Sequence, residues 1–172
     1  MLDIAIDADG EWDSSTGPDS PNWDELARSA ATAAIAESAF PQLSNGERTV
    51  ELSIRLAGDA EVHALNSEWR GKDNPTNVLS FPMAEADDLA AAAAPGPELM
   101  LGDIILARGV CAAEAAEKAI PLDQHAAHLM VHGTLHLLGY DHMDEDSAAD
   151  MEAREIRALA RMGIADPYAE DR

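Results

Sequence analysis

Along residues 49–56 (TVELSIRL), Val50, Leu52, Ile54 and Leu56 fall on one face, the period-two pattern of a half-buried strand. Residues 2–7 (LDIAID) alternate more loosely and predict another strand, ending in acidic and Gly/Ser/Pro-rich chain at 8–21. LMLGDIILA at 99–107 predicts a strand with Asp103 set among apolar residues, and Asn77–Phe81 a short one closed by Pro82. Asn22 precedes a long Ala-rich segment, with Glu25 three places on in the capping-box position. That helix is expected to end near Pro41 and to bury a stripe of Trp23, Leu26, Ala30 and Ile35. Asp59 is expected to cap a short helix whose Val62, Leu65 and Trp69 share a face. Further helices are expected over 108–120, over 122–138 with Gly139 at its C-terminal turn, and over about 145–162, stopped by Gly163.

Neither an internal repeat nor a long linker interrupts these elements. They predict one α+β domain over 1–172, a small mixed β-sheet with surrounding helices. Residues 8–21 and 84–98 read as loop insertions, the second with room for a helical turn, and 164–172 as a short polar tail. With 47% apolar and 26% charged residues, 172 residues suffice for a core without disulfides. Aromatics are only 4%, so Leu, Ile, Val, Met and Ala must fill it. The single Cys111 excludes a disulfide scaffold and a multi-cysteine zinc ribbon. No stretch approaches 18 uninterrupted apolar residues and the N-terminus has no basic leader, so a cytoplasmic protein with no membrane partner is expected. Eleven Lys+Arg against 33 Asp+Glu give a net charge of −22, which disfavours passive adhesion to nucleic acid. A local cationic groove stays open, because steering follows the local field.

The chemistry concentrates in AHLMVHGTLHLLGYDH, where His132, His136 and His142 form the pattern HxxxHxxxxxH. Four residues of helix separate the first two by about 6 Å along one face, so both imidazoles can reach one ion. Gly139 permits the left-handed turn that throws the chain back and brings His142 to a third corner. Three neutral imidazoles and an open position suit a catalytic zinc. His128 is a rival ligand on the same helical face, but three rings in a straight row cannot easily surround a small ion. The zinc-protease pattern HExxH would put a general-base glutamate beside the first histidine; here Gly133 stands there. Any carboxylate helping the metal must come through the fold, and Asp103 is the distant candidate, with a turn-capping role as its alternative. Asp141 reads equally as a group orienting a ligand or as a solvated turn residue.

Three ordered blocks then carry a resemblance: LNSEWRGKDNPTNVLSFP at 65–82, LGDIILA at 101–107 and HGTLHLLGYDH at 132–142. From about residue 48 to 162 the sequence resembles the YbeY family of bacterial endoribonucleases, also described as rRNA maturation factors. The resemblance implies one Zn2+ per chain held by His132, His136 and His142 at a cleft, with Arg70 meeting substrate phosphate. It also implies single-strand-specific RNA cleavage, maturation of the 3′ end of small-subunit rRNA, ribosome quality control, and the ribosome or small-subunit proteins as partners. The acidity and the extra residues at 8–21 and 84–98 depart from that family's pattern.

Read without the resemblance, Arg70 with Lys72 is a small basic island, and its guanidinium can fork two phosphate oxygens. A surface pair of Arg70 with Asp73 is the alternative. Thr76, Asn77 and Ser80 can donate to sugar or phosphate, or satisfy the turn and strand edge. Two other functions stay open: a metal-stabilised ribosome-assembly or RNA-binding factor, and a zinc hydrolase of an amide or peptide. Gly133 weighs against the hydrolase, and Arg70 with Lys72 suits an anion better.

Overall fold

A computed structural model of the chain describes residues 1–10, 12, 22–74, 76–92 and 94–169. Four strands form one sheet in the order β1-β2-β4-β3, where β1 is Leu2–Ala8, β2 Val50–Ala57, β3 Val78–Pro82 and β4 Leu99–Ala107. β1, β2 and β4 run parallel, and β3 closes one edge antiparallel to β4. The edge position tolerates Pro82, which lacks a donor. The helices are α1 (Trp23–Ala36), α2 (Asp59–Arg70), α3 (Ala86–Ala90), α4 (Arg108–Lys118), α5 (Leu122–Leu137) and α6 (Glu145–Arg161). The result is the mixed sheet with surrounding helices that the sequence predicts. No helix among the described residues is long and apolar enough to cross a membrane.

The main core lies between the sheet and helices α1, α5 and α6. Leu52, Ile54, Ile104 and Leu106 from the strands meet Ala30 and Ile35 of α1 and Met130 and Leu135 of α5, all buried. A smaller core lies on the opposite face, where Val62 of α2 packs with Leu79 and Ala107, and Leu65, Phe81 and Ile105 lie against it. Trp69 does not join that stripe and stands 67% exposed at the end of α2.

Between Glu51 and Leu52 the pairing with β4 skips a residue, from Met100 to Gly102, so Leu101 is extra. Gly102 sits at φ +141°, and a Cβ there would collide with the Phe81 carbonyl. This bulge breaks the alternation. Leu99 and Leu101 face the main core before it, Ile104 and Leu106 after it, and Asp103 with Ile105 turns to the other face.

Several ends differ from expectation. Asn22 caps α1 by accepting from the Glu25 amide at 3.1 Å, but the helix stops at Ala36. The Ser38 hydroxyl donates to the Ile35 carbonyl, and a 3-10 turn, Pro41–Leu43, follows. Asp59 does not cap its own helix, which Gly58 enters. Its carboxylate accepts from the Gly109 and Val110 amides at 2.8 and 3.2 Å, satisfying the first turn of α4 instead. The 84–98 segment contains α3, whose Leu89 is buried along with Ala92. Most of the 8–21 segment lies outside the described residues, but Trp12 is buried, packs edge-on to Trp23 and donates to the Ala57 carbonyl at 2.8 Å.

Candidate metal centre

Helix α5 is buried along most of its length, and His132 and His136 emerge where it meets the open end of β3. It ends in a Schellman turn. Gly139 takes φ +94°, the Tyr140 amide donates to the Leu135 carbonyl at 3.1 Å, and the Gly139 amide donates to the His136 carbonyl at 3.0 Å. The reversal delivers His142. One ring nitrogen from each of His132, His136 and His142 lies within 4.8 Å of the other two, and the Nε2 atoms of His132 and His136 face each other at 3.0 Å. Zn–N bonds of about 2.0–2.1 Å at tetrahedral angles would hold such nitrogens roughly 3.3 Å apart, so the donor set fits a small borderline cation.

Burial, and the neighbouring rings of His132 and His142, push the His136 imidazole down to about 4, which leaves its lone pair free at neutral pH. His132 is oriented by a residue that sequence reasoning missed. Its Nδ1 lies 2.5 Å from Oε1 of Glu155, a carboxylate with no exposed surface. The Tyr168 hydroxyl donates to the other oxygen of Glu155 and stands 3.1 Å from His128 Nε2. Burial alone would raise the Glu155 pKa. The hydrogen bonds of His128 and His132 outweigh it and hold this carboxyl at about 2. An ionised Glu155 keeps the proton of His132 on Nδ1 and presents Nε2 to an ion. His128 is thereby committed to Tyr168 and Glu155, not to the cluster. The sequence offered only a glutamate inside the helix expected over about 145–162, and Tyr168 lay in what read as a polar tail.

Across a cavity of about 610 Å³ the histidines face Arg70, Thr76 and Ser80. Arg70 ends α2, and Gly71 at φ +67° turns the chain away. Its expected alternative partner, Asp73, is taken by His63 at 2.8 Å, and Arg70 has no ion pair among the described residues. Asn77 is engaged in the wall, its amide donating to Glu114 at 3.0 Å. Asp141 accepts from the His142 amide at 2.7 Å, which fixes the turn.

The structure does not bring Asp103 to this cavity. It pairs with Phe81 on β3, whereas the neighbouring Ser80 faces the histidines. Adjacent strand residues point to opposite faces, so Asp103 lies across the sheet, where Ser53 donates to it. The bulge at Leu101 is the physical reason, and the role this placement supports is structural. A second cavity, of about 640 Å³ against α1, includes Arg28 and Arg161, already paired with Asp24 and Glu37.

Three imidazoles converging beside an unpaired arginine, on an α+β scaffold, form a cluster able to coordinate a metal ion. The chain belongs to the endoribonuclease YbeY family, whose profile matches residues 15–163. It is 51% identical over 171 residues to endoribonuclease YbeY of Rhizorhabdus wittichii, covering 98% of each chain. To its counterpart in Paramagnetospirillum magneticum it is 55% identical over 155 residues, or 87% of this chain and 92% of the relative. The fold is similar to the solution structure of TM1509 from Thermotoga maritima, at a TM-score of 0.52 and 21% identity, covering 95% of this chain and 92% of that one.

Proposed function

We propose that this chain is a zinc-dependent endoribonuclease that cleaves single-stranded RNA. In this reading it acts in the cytoplasm on the 3′ end of small-subunit rRNA and in ribosome quality control, alongside small-subunit proteins. One observation carries the reading: three imidazole donors within 4.8 Å of one another share a cavity with an unpaired arginine. Family membership supplies the substrate class.

His132, His136 and His142 would hold one Zn2+ per chain. When bound, zinc supplies a Lewis acid beside the scissile phosphate and can lower the pKa of a nucleophile. The chain's own residues do the rest. Glu155 fixes the tautomer and direction of His132. Arg70 is free to fork two phosphate oxygens, and its bond strengthens as negative charge grows on them. Gly133 offers no carboxylate beside the histidines, so the helix itself supplies no general base.

The test separates metal from substrate. His132→Ala should lose zinc and cleavage together. Arg70→Ala should keep zinc and fold but lose about 2–4 kcal/mol of transition-state stabilisation, the scale of a missing charged donor. Single-turnover cleavage of a short unstructured RNA, with zinc content and circular dichroism on the same samples, reads both. Wild-type cleavage by a folded, zinc-loaded Arg70→Ala protein would remove Arg70 from the mechanism. Zinc binding without any RNA cleavage by wild type would point instead to an RNA-binding or assembly factor.

A further inference from the structure

Most of the described Lys and Arg side chains of this acidic chain are already engaged. Arg28 pairs with Asp24, Arg55 with Asp7 and Glu61, Arg154 with Asp150, and Arg157 and Arg161 with Glu37. Arg48 donates to the Pro97 carbonyl, and Arg108 lies over the Trp12 ring. Among the described Lys and Arg side chains, those of Arg70, Lys72 and Lys118 alone make no hydrogen bond, ion pair or ring contact.

Their placement is not scattered. Arg70 lines the cavity of the three histidines, and Lys72 follows it just past the turn at Gly71. Lys118 ends α4 and lines a smaller cavity of about 190 Å³. The two cavities adjoin, because Asn77, Val78 and His132 wall both. Together they follow α5 from His125 to His136, about 16 Å of helix. Lys118 lines the far end together with His125. The other charged group in the smaller cavity, Glu114, is held by His125 Nε2 at 2.9 Å and by the Asn77 amide. Asp141 stands in the larger cavity, where its carboxylate accepts from the His142 amide.

We propose, resting on the RNA-cleaving reading above, that the two cavities form one trough in which a single RNA strand lies across the three histidines. Arg70 and Lys72 hold phosphate on one side and Lys118 holds a phosphate on the other. The far end is a phosphate subsite centred on Lys118. A chain carrying −22 offers a polyanion few other places to rest, and a 190 Å³ cavity admits one strand rather than a duplex. The footprint is therefore a few nucleotides.

The experiment uses the zinc-loaded full chain and a short 2′-O-methyl RNA, checked intact by gel, with anisotropy titrations at several salt concentrations. Lys118→Ala should bind several-fold more weakly at low salt. Its log–log salt slope should shrink by about 0.7, the loss of one phosphate contact on a single strand. Lys118→Arg should restore both, and Arg28→Ala, remote and paired, should match wild type. Zinc content and melting temperature, recorded on the same proteins, separate a phosphate contact from a lysine that only offsets the α4 dipole. Wild-type affinity and slope in Lys118→Ala, beside weakened binding by Arg70→Ala, would overturn the far subsite and leave the RNA reading standing. No binding by wild type at low salt would overturn both.

Discussion

Glu155 is fully enclosed, yet it stays ionised because its hydrogen-bond partners outweigh the cost of burial. A buried carboxylate of this kind is tolerated only when each oxygen is satisfied, and His132 and Tyr168 satisfy them here. Removing it should therefore act on the metal before it acts on chemistry. Glu155→Ala is expected to weaken zinc binding 10–100-fold, the range for a group that orients a ligand histidine. Competition against a chromophoric chelator measures this directly. Glu155→Gln keeps an acceptor for the His132 Nδ1 proton and should lose less. Wild-type zinc affinity in Glu155→Ala would show that packing alone holds His132 in place.

Helix α5 carries its chemistry on one side and its packing on the other. Gly133, which stands where a zinc protease would place its base, is pressed onto the sheet: a Cβ there would lie 2.9 Å from Cγ2 of Ile104. A glutamate would be driven into the core, so the peptidase arrangement is sterically closed. Gly133→Ala gains up to about 1 kcal/mol of helix propensity. Ile104, however, is β-branched, buried and stiff, so overpacking of about 1–3 kcal/mol should win. A lower urea midpoint for Gly133→Ala, with zinc stoichiometry retained, is the expected result. An unchanged or higher midpoint would mean that the helix can lift from the sheet without cost.

For the molecule as a whole, stability and charge meet in the zinc-free state. His136 ionises at about 4 in the folded chain against an ordinary 6.5. Between those values the unfolded chain binds the extra proton, so this histidine's contribution is intact above pH 6.5 and is lost as pH falls through 4. Glu155 adds a loss of the same sign from 4.5 down to about 2. Protonation of the many surface acids relieves their repulsion and works the other way. The His136 contribution is therefore read as a difference: zinc-free wild type should lose stability relative to His136→Gln as pH drops from 7 to 4.5. Urea unfolding at the two values decides it, and a constant difference would contradict the burial of this ring. Adding zinc at pH 7 should raise the melting temperature by mass action, and His136→Ala should abolish most of that rise.

Periodicity made the elements legible: the alternation of β2, the 99–107 strand and the helix ending at Gly139 all stand where local pattern places them. So does the cluster of three histidines, because helix pitch and one left-handed glycine together determine where three nearby imidazoles can go. Arg70 was legible as a basic island, and that it is unpaired came from the fold, which gave Asp73 to His63. Glu155, Tyr168 and Asp59 act on residues 23, 40 and 50 positions away, across packed elements, and no local pattern encodes such partners. Asp103 shows the converse. Strict alternation would turn it inward with Leu101, but one extra residue, permitted by Gly102 beneath the Phe81 carbonyl, sends it to the far face. Local conformation is governed by spacing and backbone sterics that each residue carries with it. Which faces meet depends on where distant strands pair, and a one-residue slip in that pairing reverses every side chain that follows.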